Sequence, residues 1–385
     1  ADTTQLGTIG NLTKNGLKKK NEFVLSEFLA DVFIYAVAKT DNMIESTFTK
    51  SIKKDFYAAY NPMADTIKFY EVIKPKPVAA IPLTSKGKFD KVFTPVSSEK
   101  LSISAKHDFQ IFCLKFDDYD FDYHGLWRHL RNNIGYYVYS RAQIETYMED
   151  DEISALAYDA IAYIKKAIAD GKLPTGNELG ELLLYIFLEQ VLVAPKLMSK
   201  VEIGNHGGLM TSESSGIHLL TANETVPFSQ VILGTSMIKG DLQTAIDSAF
   251  ADAQKLKNRK KDERRFVESN IFAASFPTKI YDQLEAIILP SETNGQKPAT
   301  AFGMFVGYSL SGVSANGKPV NEYQNDVLEQ VRNDIQNNVP FIEAKITQYG
   351  FDGYSMYIYL LPFADADEDK KDIMDKLLQS GGGQA

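Results

Sequence analysis

Few residues in this sequence are of types that do chemistry. It holds five histidines, His107, His124, His129, His206 and His218, and one cysteine, Cys113. His124 and His129 stand five apart, not at the i, i+4 spacing with which a helix presents two zinc ligands. A lone cysteine excludes an internal disulfide framework and any zinc set needing two thiolates. Cys113 lies within the apolar stretch Phe109–Phe116 and reads as a core thiol. No Gly-x-Ser-x-Gly elbow is present to display a nucleophilic serine. Gly234-Thr-Ser-Met-Ile-Lys-Gly240 has the outline of a phosphate loop but lacks the Gly-Lys-Ser/Thr ending. That ending supplies the lysine for the phosphates and the hydroxyl for Mg2+, so nucleotide binding is not expected there. Asp117, Asp118, Asp120 and Asp122 cluster without the glycine and terminal glutamate of a calcium loop. They read as a solvated connector with aromatic anchors.

A second feature is electrostatic. Lys257, Arg259, Lys260, Lys261, Arg264 and Arg265 place six positive charges in nine residues of a chain whose net charge is −9. The surface as a whole does not attract nucleic acid, so any such contact must be a local patch. This run is either a solvated helix face or a site for phosphates or for an acidic face of a partner.

The elements that must position these residues follow from periodicity. Val231, Ile232 and Leu233 form a short β-branched run, the mark of a buried strand, and Asp241 is placed to cap a helix starting at Leu242. Thr66–Ile73, Phe109–Phe116, Leu197–Ile203, Ser215–Thr221, Phe228–Met237, Ala301–Leu310, Phe341–Thr347 and Tyr354–Leu361 are strand-like. Helical spacing marks Ser140–Met148, Glu152–Ile168, Glu178–Leu192, Phe266–Phe276, Tyr323–Asn337 (stopped by Pro340) and Asp367–Leu378. The helix from Glu178 is apolar on nearly all sides and should lie deep. Ser26–Ala38 fits a strand or a helix equally. This interleaving predicts an α/β or α+β chain with a mixed sheet flanked by helices. An N-terminal accessory module is expected over 1–105, a main domain over 106–378 and a flexible tail over 379–385. Composition is that of a soluble globular protein, 44 % hydrophobic and 24 % charged. No apolar run approaches the roughly 18 residues of a membrane span, and no signal peptide is visible, so a cytoplasmic protein is expected.

Several segments, in order, resemble the HamA family. They are Gly180-Glu-Leu-Leu-Leu-Tyr-Ile-Phe-Leu-Glu189, Ala194-Pro-Lys-Leu-Met-Ser-Lys-Val-Glu202, Gly216-Ile-His-Leu-Leu220 and Gly240-Asp-Leu-Gln-Thr-Ala-Ile-Asp-Ser-Ala-Phe250. The closing stretch from Tyr357 to Lys371 is similar too, and the resemblance covers roughly residues 106–378. HamA is the effector subunit of the bacterial Hachiman antiviral defence system. The resemblance implies a PD-(D/E)xK-type nuclease fold acting on DNA beside a superfamily 2 helicase, HamB. In such a site a helix Glu, a strand Asp and a following Glu hold one or two Mg2+ ions. A Lys two residues after that Glu orients the attacking water or stabilises the charged phosphorane.

Glu181 matches the helix carboxylate and is the candidate metal ligand. The other motif positions are substituted. Ser215 stands where the family usually has Asp, and Thr235 and Met237 stand where it has the Glu and Lys of Gly-Glu-Ser-Lys. Neither Thr235 nor Met237 supplies a carboxylate or an ammonium. Because side chains along a strand repeat by two, Glu213 shares a face with Ser215, and Lys239 shares one with Met237 if the strand continues to it. A migrated catalytic set of Glu181, Glu213 and Lys239 follows as one expectation. The alternative is a degenerate nuclease fold kept for DNA binding, assembly or restraint of the helicase.

Overall fold

A computed structural model of the chain describes residues 22–24, 56–61, 66–71, 86–101, 107–170, 176–199, 201–202, 214–222, 226, 228–266, 270–289 and 297–379. Ser26–Ala38, whose class periodicity left open, lies outside these residues. By internal contacts the chain forms two compact units, Ala1–Lys76 and Pro77–Ala385. In the first, β1 (Glu22–Val24), β2 (Phe56–Asn61) and β3 (Thr66–Glu71) form an antiparallel sheet in that order. The strand-like stretch Thr66–Ile73 thus contains a strand, Thr66–Glu71.

The second unit opens with a single helical turn, α1 (Lys86–Phe89), then β4 (Phe93–Lys100), β5 (His107–Leu114) and the small hairpin β6 (Phe116–Asp117) and β7 (Asp120–Phe121). Four helices follow: α2 (Tyr123–Val138), α3 (Arg141–Glu149), α4 (Leu156–Ala169) and α5 (Glu178–Gln190). Next come β8 (Lys196–Ser199), β9 (Gly216–Leu220), β10 (Gln230–Ile238) and the long helix α6 (Leu242–Phe266). The chain closes through α7 (Asn270–Ala274), α8 (Thr278–Ile288), β11 (Ala299–Ser309), α9 (Val320–Gln348), β12 (Ser355–Phe363) and α10 (Ala366–Gln379).

The main sheet has seven strands in the order β4-β5-β12-β11-β10-β9-β8. Its centre, β5-β12-β11-β10, is parallel, and β4, β9 and β8 pair antiparallel at the flanks. The expected mixed α/β sheet is therefore present. β4 precedes residue 105, where the accessory module was expected to end, yet it is an edge strand of this sheet. Its proline explains why its pattern is weak: Pro95 sits at a register shift on the edge, where a missing N–H is tolerated.

Helix α5 lies directly on β10 and β11, with α2 and α10 packed against it. Eleven of its residues, Leu179, Gly180 and Leu182 through Gln190, are buried, which is why its sequence is apolar nearly all round. The contact needs glycine beneath it. A Cβ at Gly234 would stand 2.7 Å from Leu184 Cδ2, and one at Gly303 would stand 3.1 Å from Leu188 Cδ2. Phe187 fills the adjoining space against Phe89, Phe93, Phe112, Phe305 and Tyr359. The opposite face carries α6 and α9, with Phe250, Phe302 and Phe351 packed together.

One expectation is corrected here. Phe341–Thr347 is not a strand but the second half of α9, which runs through Pro340. Buried Val327, Val331, Ile335, Ile342 and Ile346 recur at helical spacing on both sides of the proline, and that stripe outweighs the local alternation. Pro340 is exposed, so the carbonyl it leaves unbonded lies on the solvent side. The aspartate cluster behaves as a connector: Asp117, Asp118 and Asp120 are exposed, Phe116 and Phe121 anchor the hairpin 5.6 Å apart, and Asp122 caps α2 by accepting from Gly125 N. No helix among the described residues is long and apolar enough to cross a membrane.

Candidate functional site

The motif positions converge on a fork in the sheet. β9 pairs with β10 only from Gln230 to Leu233, and a last bond from Ser215 N to Gly234 O (2.8 Å) ends the ladder. Beyond it the β9-side edge of β10 is held by side chains. Asn177 Nδ2, at the start of α5, donates to Ser236 O (2.9 Å), and Lys370 Nζ of α10 donates to Ile238 O (3.2 Å). Three carbonyls two residues apart are thus satisfied by three different elements, as buried backbone acceptors require. Ser214 closes the fork from the other side, donating through Oγ to Gly216 O and accepting from Gly234 N.

The faces of β10 follow from these contacts. Ser236 Oγ accepts from Asn177 Nδ2 (3.0 Å) and lies 3.3 Å from Ser215 Oγ. A Cβ at Gly180 would stand 3.1 Å from Ser236 Oγ. Gly234 and Ser236 therefore face α5, and alternation turns Thr235, Met237 and Lys239 toward α6. Thr235 is buried and pairs in register with Met304, while Met237 is half-buried beside Val306. Lys239 follows the same parity: its Nζ donates to Ser248 Oγ on α6 at 2.7 Å. Lys239 was expected to share a face with Met237 if the strand continued; β10 ends at Ile238, one residue short of it.

Glu181 lies on the other side. It is half-buried in the first turn of α5 and accepts a hydrogen bond from Tyr137 Oη (3.2 Å). Burial pushes the Tyr137 phenol well up, and the charge and hydrogen bond of Glu181 push it further, so Tyr137 stays a donor. Glu181 is engaged by Tyr137 and Lys239 by Ser248, on helices that cover opposite faces of the sheet, and Glu213 lies outside the described residues. Ser215, Thr235 and Met237 supply two hydroxyls and a thioether divided between two faces. Mg2+ takes hard oxygen ligands, chiefly carboxylates, so this donor set does not fit it. Among the described residues no three of His, Cys, Asp and Glu are grouped to hold a metal ion.

A cleft of about 550 Å3 opens at the C-terminal ends of the parallel strands, where open α/β sheets commonly bind ligands. Asn177, Met237, Lys239, Asp241, Asp367 and Lys370 line it. Its charges are largely spoken for. Asp241 caps α6 as expected, and its bonds from Thr244 hold its carboxyl below the ordinary range. Asp367 is held low first by Lys370 and also accepts from Gly240 N.

Sequence reasoning missed the polar residues beneath α2. Buried Lys196 donates to Tyr137 O (3.0 Å) and Tyr139 O (2.8 Å) at the end of α2 and pairs with buried Glu202 at 2.8 Å. Burial lowers the Lys196 ammonium while Glu202 opposes the shift. His218, buried in β9, is fixed by Ala194 O (2.8 Å). The signal was present, since Lys196, Glu202 and His218 all lie in the segments that carried the family resemblance.

The basic run is divided by its helix. Lys257 donates to Tyr349 O and Gly350 O at the end of α9 and sits 4.9 Å from the centre of the Phe351 ring. Lys260 contacts Tyr354 Oη and lies 4.7 Å from the centre of that ring. Arg259 is half-buried, Lys261 and Arg265 are exposed, and Arg265 pairs with Asp262 at 3.3 Å. Arg264 lies on the same helix, but its side chain is outside the described residues.

No curated protein sequence matches this chain. The model of the HamA family matches residues 90–377, starting within the turn before β4 and ending in α10. The chain belongs to the HamA family.

Proposed function

We propose that this chain is the HamA-like subunit of a bacterial Hachiman-type antiphage defence complex, and that it works by binding rather than by cutting. In this reading a PD-(D/E)xK-like core is kept as a platform for DNA and for a HamB-type superfamily 2 helicase, whose action it restrains or directs. One observation supports the reading: of the positions that would hold a metal only Glu181 keeps its carboxylate, while Ser215 and Thr235 replace the other two and Met237 replaces the lysine, on two faces of the sheet. The competing set fares worse, because Lys239 is committed to Ser248 on the face away from Glu181. Family membership supports the defence role, and the local run of positive charge from Lys257 to Arg265 on a chain of net charge −9 supports contact with a polyanion.

The test is reconstitution with a HamB-type superfamily 2 helicase. The two should co-purify, and adding the HamA-like chain should change the helicase's DNA-stimulated ATP hydrolysis while the DNA stays intact. Failure to associate, with unchanged ATP hydrolysis, would remove the platform reading.

A further inference from the structure

Helix α2 has no acidic residue along its length, although the chain as a whole is acidic. His124, Arg128 and Arg131 stand at i, i+4 and i+7, so they share one face with Trp127. His124, Arg128 and Arg131 are exposed and Trp127 is half-buried. His124 stacks on the Trp127 ring at 5.9 Å, and Arg131 Cζ lies 5.4 Å from the ring centre. A second cation arrives from another element: exposed Lys376 of α10 places its Nζ 5.5 Å from the same ring centre. Among the described residues, none of Arg128, Arg131 and Lys376 is in an ion pair. Asp372 and Asp375 share α10 with Lys376 and are exposed, but neither pairs with it.

We propose that this face of α2, with Lys376, is a DNA-binding surface that grips the phosphodiester backbone. The inference deepens the platform reading above and rests on it. Two cations gathered on one ring without an acid between them repel each other, and an anionic ligand removes that repulsion. The indole face pre-orders their long side chains, which lowers the entropy lost when phosphates are gripped. The row from residue 124 to 131 is about 10 Å long at 1.5 Å rise per residue, over which a duplex carries roughly six phosphate charges. Exposed Asp372 and Asp375 flank Lys376 on α10, so the grip is confined to the cations around Trp127, and phosphates spaced along a backbone can meet those cations without lying over α10.

Trp127 is the chain's single tryptophan, so its emission reports on this surface alone. The full chain is titrated with an unlabelled 30-nucleotide single strand and with a 30-base-pair duplex, following Trp127 emission. Anisotropy of the same DNAs carrying a dye measures total binding in parallel. The expected result is an emission change whose midpoint coincides with the anisotropy midpoint for at least one of the two forms. The combined variant Arg128→Gln, Arg131→Gln, Lys376→Gln should make the log affinity against log salt slope shallower by about 2 for the single strand and about 3 for the duplex, at unchanged Tm. Binding by anisotropy with unchanged Trp127 emission and an unchanged slope in the variant overturns this surface while leaving the platform reading standing. Absence of binding by anisotropy for both DNAs overturns the DNA-binding part of that reading and this surface with it.

Discussion

Asn177 donates through one amide nitrogen to both the carbonyl (2.9 Å) and the hydroxyl (3.0 Å) of Ser236. As the residue preceding the first turn of α5, it would ordinarily cap that helix, but no side-chain cap bond forms. Its amide instead holds the strand edge that β9 has left, and so sets where α5, and Glu181 on it, stand relative to β10. Asn177→Ala should lower stability by about 1–2 kcal/mol, the scale of two partly buried hydrogen bonds. Urea unfolding checks this: the midpoint should fall with m unchanged.

Gly234→Ala should destabilise by about 1–3 kcal/mol through overpacking. The new methyl meets Leu184 Cδ2 at 2.7 Å and Gly216 O at 3.1 Å, and the second is backbone that cannot swing away. In a Leu184→Ala background the same substitution should cost less. A double-mutant cycle with no coupling between the two would show that Leu184 does not rest on Gly234.

Two buried histidines make stability depend on pH. Burial lowers His129 and His218 to about 4, against an unfolded value near 6.5. Both are neutral in either state above that value, so the fold is favoured there. As pH falls, the unfolded chain takes up protons first and stability declines until the folded values are passed. Between pH 7 and 5 each should cost about 2 kcal/mol at most, above the ordinary carboxylate range. Replacing His218 by Gln should flatten the decline in urea midpoint by about half.

Lys257 and Lys260 should matter for folding, and Lys261 and Arg265 should not. Lys257 places its charge on the last carbonyls of α9 and over Phe351, so Lys257→Ala should cost about 1–2 kcal/mol. Lys261→Ala should stay within about 0.5 kcal/mol, as exposed surface changes do. Thermal unfolding of the two variants side by side separates the structural from the solvent-facing part of the basic run.

Much of the fold was legible. β10 and α6 were readable because the β-branched run from Val231 and the cap at Asp241 are local signals, and both stand in the structure. The second half of α9 misled because Phe341–Thr347 alternates by two, while its true period appears only when Val327 through Ile346 are taken together. For the site, strand parity grouped Lys239 with Met237. Parity within a strand does not say which face a helix will cover. That was decided by Leu184 over Gly234 and Asn177 on Ser236, contacts between residues 50 and more apart that leave no local pattern.

The most direct test of the central claim is a cleavage assay on the purified chain. Supercoiled plasmid and linear duplex are incubated with Mg2+ or Mn2+, with and without the helicase and ATP. Intact DNA is expected in every lane at protein in molar excess. Mg2+-dependent cleavage that disappears in Glu181→Gln would contradict that claim and would place a working metal site at Glu181.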